Sequence, residues 1–319
     1  MTMIQHTDID QFSARKPVVT VGIFDGVHRG HRFILNRLRE TTDRLEGESV
    51  LLTLWPHPRT ILKQVDDSFR LLNTMEEKKQ MLEEEGLDHM IVIPFTESFS
   101  RLSSCEFIRQ YLVEKVGIHH LVVGFNHRFG RDREGDFTKL KDCALQFGFG
   151  IEEVPQLETG TEDLSSSRIR QYLQAGDILM ANKLLEWEYT FSGEVVGGSR
   201  LGTSIGFPTA NITPAEKYKL IPADGVYAVR AWLQGESYQG MLNIGSRPTV
   251  NDDPDRKTIE VHLLDFEKNI YNEQIQVQFV NRLREERKFK DIESLRRQLL
   301  VDRENTLRLF QNYGRGNSR

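Results

Sequence analysis

The chain has 319 residues, enough for two cores of ordinary size rather than one. Hydrophobic residues make up 38% and charged residues 28%, a balance that excludes a disordered chain. The formal net charge of −5 excludes a general basic field for nucleic acid, so an anionic ligand has to be held by local devices.

The opening MTMIQHTDIDQF lacks a basic region leading into an apolar run, so no signal peptide is expected. No uncharged apolar stretch is long enough to span a bilayer, and a soluble cytoplasmic protein is expected. Val18–Ile23 (VVTVGI) is an almost continuous apolar run, as in a strand buried on both faces of a parallel sheet. An amphipathic helix follows over about His31–Leu45, with Ile34, Leu35 and Leu38 on its apolar stripe. Ser49–Leu54 predicts a second strand, and Thr74–Glu85 a helix with Thr74 as N-cap and Gly86 as stop. Strands at His89–Ile93 and Leu121–Val123 alternate with helices near Ser103–Val116 and Phe137–Gln146, and a helical segment Ser167–Ala175 closes the series. Strands alternating with helices of this length predict a doubly wound α/β domain over residues 1–184. Cys105 and Cys143 are far apart and without metal-ligand spacing, and both read as reduced thiols in buried structural positions.

Residues 185–319 change rhythm. Phe191–Val196, Gly225–Leu233, Tyr238–Asn243, Thr258–Phe266 and Ile275–Phe279 are short, often alternating and separated by turn residues, which predicts an antiparallel barrel or sandwich. Asp291–Phe310 predicts a terminal amphipathic helix with Ile292, Leu295, Leu299 and Leu300 inward.

The densest chemical signal is Gly22–His31 (GIFDGVHRGH), directly after the first strand and opening a helix. Ligands of doubly wound sheets bind outside the carboxyl ends of strands, so this is the right place for a site. Gly22, Gly26 and Gly30 allow close backbone approach, and the helix N-terminus offers N–H groups to a phosphate. His28 and His31, three apart, share a face and can reach the same phosphates. The string fits neither G-x-G-x-x-G nor G-x-x-x-x-G-K-[ST]. It resembles the H-x-G-H signature of nucleotidylyltransferases, in the F-D-G-x-H form of bacterial bifunctional riboflavin kinase/FAD synthetases. The resemblance implies a Rossmann-like fold and attack of the FMN phosphate on the α-phosphorus of ATP, with ATP near Gly22, Phe24, Asp25, Gly26 and Gly30. Positioning and charge stabilisation would suffice, with His28 and His31 as donors. Thr53–Pro58 (TLWPHP) is similar to the family's T-F-x-P-H-P loop and implies flavin contacts from Trp55, Pro56, His57 and Pro58. Gly124–Gly130 (GFNHRFG) resembles G-x-[DN]-F-x-F-G, which implies a flavin contact from Asn126, with His127 in place of Phe. Ser165–Arg170 (SSSRIR) resembles S-S-T-x-I-R and implies ATP contacts from Ser166, Ser167 and Arg170. Arg168 and Arg170 point to different sides of a helix, and the motif selects Arg170.

In the second half, Gly202–Asn211 (GTSIGFPTAN) places a hydroxyl and an amide two residues apart, at Thr209 and Asn211. Such hard oxygens suit Mg²⁺. The upstream glycines give a loop that can lie over phosphates. On the strand Ile259–Leu264, Ile259, Val261 and Leu263 share one face and leave Glu260 on the other. G-F-P-T-A-N resembles the riboflavin kinase signature, and E-V-H-L-L-D-F the segment carrying that family's general base. The resemblance implies a barrel, Mg²⁺ at Thr209 and Asn211, ATP near Gly198, Gly202, Gly206 and Pro208, and Glu260 as base for the riboflavin 5′-hydroxyl. Asn243–Thr249 (NIGSRPT) and Leu283–Phe289 (LREERKF) fit family loops that imply flavin contacts from Asn243, Arg247, Arg284 and Glu286.

Other departures are Ile23, where Asn is frequent, Ser167 for Thr, and Leu185–Tyr189 (LEWEY) for L-G-R-P-Y. The resemblance implies two reactions on one chain, consuming riboflavin, FMN and ATP with Mg²⁺ and yielding FMN and FAD, with no nucleic-acid or membrane partner. A cytidylyltransferase leaves the P-T-A-N domain without a role, and a flavin-binding regulator leaves the retained His28, His31, Thr209, Asn211 and Glu260 without one.

Overall fold

The computed structural model describes residues 2–65, 68–125, 137–157, 164–197, 202, 205–246 and 257–316. By contacts the chain divides into two compact units, Met1–Ser165 and Ser166–Arg319.

The first unit contains β1 (Ile4–His6), β2 (Pro17–Val21), α1 (Arg29–Leu45), β3 (Glu48–Trp55), α2 (Pro58–Ile61), α3 (Met75–Glu84) and β4 (His89–Pro94). It continues with α4 (Glu97–Ser100), α5 (Ser104–Phe107), β5 (His120–Gly124), α6 (Phe137–Phe147) and β6 (Gly150–Val154). All six strands pair in parallel, in the order β1-β4-β3-β2-β5-β6. From β2 the chain steps outward to β3 and β4, then returns to β5 and β6 on the other side. The direction therefore reverses between β2 and β5, and their carboxyl ends border the crevice in which such sheets bind ligands.

Period-two alternation gives the sheet two apolar faces. Val18, Leu51, Met90 and Val122 pack with Leu35 and Leu38 of α1 and Leu82 of α3. Val19, Val21, Leu52 and Ile91 pack on the opposite face with Ile108, Leu112 and Leu140. The Thr74 cap of α3 is a full capping box with Glu77, and a second one, Ser103 with Glu106, starts α5. Beyond α5 the helix continues to Val116 with the wider winding of a π-helix. β1 and β6 lie outside the sequence expectation, the first being three residues long and the second only half apolar (GIEEV).

The expectation of two reduced thiols is corrected. Cys105 on α5 and Cys143 on α6 form a disulfide with a Cα–Cα distance of 6.4 Å. Their separation of 38 residues in sequence concealed that α5 and α6 cover the same face of the sheet.

The second unit contains α7 (Ser166–Ala175), α8 (Ile178–Leu185), β7 (Thr190–Val196), β8 (Ala210–Pro214), β9 (Gly225–Leu233), β10 (Glu236–Ser246), β11 (Lys257–Leu263), β12 (Gln274–Arg284) and α9 (Ile292–Gly316). Its six strands close into an antiparallel barrel, β10-β11-β8-β7-β12-β9. Tyr189, Phe191, Tyr227 and Phe279 are wholly buried in it. α7 and α8 are tied to this unit: Ala223 N–H donates to the Leu173 carbonyl at 3.0 Å, and Asn182 Nδ2 to the Phe279 carbonyl at 2.9 Å. The boundary read from sequence, at 184/185, falls later than this division by contacts.

The inner face of α9 differs from the expected one. Leu295 and Leu299 are half-buried, but Ile292 and Leu300 are 58% and 52% exposed. The stripe runs on instead through Asp302, Thr306 and Phe310. Asp302 occupies an inward position because it receives Arg284 of β12: Nε lies 2.9 and 3.1 Å from its two oxygens and Nη2 2.8 Å from Oδ2. A hydrophobic period cannot register an inward carboxylate matched to a cation on another element.

Candidate active sites

In the first unit the turn after β2 carries three residues in the left-handed region, Phe24 (φ 51°), Gly26 (φ 91°) and Val27 (φ 33°). For a β-branched residue such as Val27 this is a strained backbone. Its consequence is compactness. His28 becomes the N-cap residue of α1, and His31 stacks on it one turn later, with ring centroids 3.7 Å apart and an interplanar angle of 17°. Phe24 stacks on the other side of His31, at 4.6 Å and 24°. The glycines fit this packing closely. A Cβ on Gly22 would lie 2.9 Å from the Phe24 ring, and one on Gly30 3.3 Å from the His28 ring.

Burial holds the His31 imidazole well below its ordinary pKa, and the neighbouring His28 and Lys78 add to the effect. His31 is therefore neutral at physiological pH. Its Nδ1 is buried and makes no hydrogen bond to any described residue. A neutral ring at a helix start, with one nitrogen uncommitted, suits a phosphate oxygen as a hydrogen-bond donor.

Asp25, 4% exposed, is committed within the protein. Its Oδ1 accepts from the backbone N–H groups of Leu72 (2.9 Å) and Asn73 (3.3 Å). The Asn73 side chain in turn accepts from Gly26 N–H. Trp55 and Pro56, joined by a cis peptide bond, end β3, and the Trp55 carbonyl accepts from Phe95 N–H at 2.8 Å. His57 caps the short α2 through Nδ1, beside Pro58, and its ring lies 5.1 Å from that of Phe69. These residues stand at the carboxyl edge of the sheet, as does Gly22.

Ser166, Ser167 and Arg170 lie on α7 in the second unit. Arg170 is buried, whereas Arg168 is exposed and bonded to Gln171 and Tyr172 of its own helix. The side selected from the motif is thus the buried one.

The second site is built by strand register. Glu260 of β11 pairs with Asn211 of β8 on one side and with Asn243 of β10 on the other. Directly paired residues project to the same face. Three polar side chains far apart in sequence therefore form one row, while Ile259, Val261 and Leu263 fill the barrel. Thr209 joins the row, its Oγ1 donating to Glu260 Oε2 at 3.4 Å. Glu286 closes on the same end: a Cβ on Gly245, two residues past Asn243, would lie 2.1 Å from its carboxylate. Arg284 is held by Asp302 as described. Gly202 comes so near the Phe207 carbonyl that a Cβ there would lie 2.2 Å from it, and Gly206 (φ 84°) turns the chain into Phe207–Pro208. Among the described residues no group of three His, Cys, Asp or Glu is placed to hold a metal. The hydroxyl of Thr209, the amide of Asn211 and the carboxylate of Glu260 share this face instead, a donor set that fits a hard cation.

Asn126, Gly198 and Arg247 lie outside the described residues, as does His127. Three residues that bear on the sites were not singled out in the sequence. His262 donates from Nδ1 to the Pro208 carbonyl at 2.8 Å and so anchors the loop before Thr209. Asn73 and Lys78 tie down the turn of the first site. The signal for Lys78 was its helical phase: it shares a stripe with Met75 and Leu82, where a cation is out of place.

Residues 10–168 match the family model for FAD synthetase, and residues 185–310 that for riboflavin kinase. The bifunctional riboflavin kinase/FMN adenylyltransferase of Bacillus subtilis (strain 168) is 35% identical over 298 residues, 93% of this chain and 93% of that protein. The protein of the same name from Escherichia coli (strain K12) is 37% identical over 286 residues, 89% of this chain and 90% of that one. A solved structure described as a macrolide-efflux protein from Streptococcus pneumoniae superposes with a TM-score of 0.87 at 29% identity, covering 96% of this chain and 99% of that one. Among the described residues of the present chain, no helix is long and apolar enough to cross a membrane.

Proposed function

Because the chain belongs to the bifunctional riboflavin kinase/FMN adenylyltransferase family, we propose that it performs both reactions of that name. Riboflavin and ATP give FMN and ADP, and FMN with a second ATP gives FAD and pyrophosphate. The observation that carries this reading is the succession of both family matches along one chain whose relatives are matched over nearly their whole length. The second match begins at 185, which supports 1–184 and 185–319 as the two catalytic modules.

In the kinase module Glu260 takes the proton of the riboflavin 5′-hydroxyl as that oxygen attacks the γ-phosphorus and ADP leaves. Support for this role comes from the polar row in which Glu260 stands, between Asn211 and Asn243. Thr209 and Asn211 would hold Mg²⁺, which when bound neutralises phosphate charge. Gly202, Gly206 and Pro208 are assigned to the loop over ATP, and Gly198 is assigned to ATP on the motif. Asn243, Glu286 and Arg247 are assigned to the flavin, together with Arg284, whose guanidinium Asp302 holds in place.

In the adenylyltransferase module an FMN phosphate oxygen forms a bond to the α-phosphorus of ATP as the bond to pyrophosphate breaks. His28 and His31 donate to the phosphates and carry the developing charge. Gly22, Phe24, Gly26 and Gly30 bring the backbone to ATP, and Asp25 serves by fixing the turn. Trp55, Pro56, His57 and Pro58, with Asn126, are assigned to the flavin. Ser166, Ser167 and Arg170 are assigned to ATP on the motif. The cytoplasm is the proposed location, because both reactions draw on its ATP.

The test is incubation of the purified chain with riboflavin, Mg²⁺ and ATP labelled at either the α- or the γ-phosphorus. γ-Label should enter FMN and persist in FAD, whereas α-label should appear only in FAD. An α-label in FMN, or no labelled flavin at all, would overturn the reading.

A further inference from the structure

We propose that Lys78 is a positioning residue of the adenylyl-transfer site, its ammonium clamping the Ile23 carbonyl so that the strained turn holds His28 and His31 in place. The proposal rests on the adenylyl-transfer reading of that turn.

Lys78 sits on α3, in the second turn after the Thr74–Glu77 capping box, and is 4% exposed. Its Nζ donates to the Ile23 carbonyl at 2.7 Å, and Thr53 Oγ1 of β3 donates to the same oxygen at 3.3 Å. Ile23 is the residue just before the left-handed Phe24, so the clamp acts where the chain leaves its extended path. Two further ties join the same two segments, Asp25 to the N–H groups of Leu72 and Asn73, and Gly26 N–H to the Asn73 side chain. A turn with Phe24 and Val27 in the left-handed region persists only where its surroundings hold it. The start of α3 supplies that hold.

The chemistry of Lys78 marks it as more than a packing residue. A buried cation is costly, and a methionine or leucine would fill this stripe without that cost. Among the described residues, the charged and titratable groups near it come from the turn, α1 and its own helix. Asp25 lies on the turn, His28 and His31 at the start of α1, and the Glu77 carboxylate is turned back to Thr74 N–H. Arg32 and Glu85, which bridge α1 and α3, pair with each other at 2.9 Å. Burial lowers the Lys78 ammonium to about 8, with Asp25 opposing the shift, and the positive charge helps keep His31 neutral. One side chain thus fixes the backbone of the turn and biases the protonation of the histidine it carries.

The test compares Lys78→Met, which removes donor and charge, with Lys78→Gln, which keeps a donor without the charge. In Lys78→Met the kcat for FAD formation from FMN should fall about 10- to 100-fold, the size expected of a small misplacement of reacting groups. Phosphorylation of riboflavin by the same preparation should be unchanged. In both variants the His31 titration, followed by its ring C2 proton and assigned with His31→Ala, should move upward toward the ordinary histidine value. The acid limb of the FAD-forming rate should move upward with it. Unchanged kcat and an unmoved His31 titration in Lys78→Met would overturn the proposal. Should Lys78→Met fail to fold, an unmoved titration and full activity in Lys78→Gln would do so. If the parent chain forms no FAD, the functional reading fails, while the His31 titration still decides the clamp.

Discussion

Glu260→Gln should abolish conversion of riboflavin to FMN while leaving FAD formation from supplied FMN intact. The substitution preserves the shape of the side chain and its place between Asn211 and Asn243, but an amide cannot take a proton. Loss of a positioned general base costs about 10²- to 10⁴-fold in rate. The residual rate should not recover with more riboflavin, since the flavin contacts proposed for Asn243 and Glu286 are left unchanged. A Gln variant that phosphorylates riboflavin at the parental rate would leave Glu260 a spectator and transfer the base to another group. Because the second unit has its own core around Tyr189, Phe191, Tyr227 and Phe279, no loss at the first site is expected.

The opposite pattern is expected of His31→Ala. FAD formation from FMN should fall by about 10²- to 10³-fold, as on removing one donor aimed at developing charge. FMN formation from riboflavin should persist. The ring of His31 is stacked between His28 and Phe24, so alanine also leaves a gap that loosens both neighbours. Reduced ATP affinity alongside the lower kcat is therefore expected. His31→Gln, which fills more of that gap and keeps a donor, should recover part of the activity. If His31→Ala retained full FAD formation, the turn after β2 would not be the adenylyl-transfer site.

The two candidate sites were legible in the sequence to different depths. The first is concentrated in one contiguous string, Gly22–His31, so spacing alone brought the two histidines to one face, and the structure stacks them. What surrounds that string was not legible. Lys78 stands in a run of glutamates and lysines that reads as solvated surface, and only its phase with Met75 and Leu82 separates it from Lys79. Asn73 gave no signal, because its partner Gly26 is 47 residues away. In the second site each of Asn211, Glu260 and Asn243 could be singled out, but the row they form depends on register, which a one-residue slip would destroy. Asp302 was hidden for the same reason as Lys78, a charge on an apolar stripe whose partner comes from another element. The alternation that revealed most strands also missed β8, which starts inside the P-T-A-N string read as a loop.

The central claim is that two chemistries reside at two separate sites of one chain, and mixing the two variants tests it most directly. Glu260→Gln alone should make no FAD from riboflavin, and His31→Ala alone should stop at FMN. An equimolar mixture, supplied with riboflavin, ATP and Mg²⁺, should form FAD, because FMN released by one variant is adenylylated by the other. A mixture that makes FMN but no FAD, although Glu260→Gln converts added FMN, would contradict free exchange between independent sites. Loss of both activities from either single variant would contradict the separation itself.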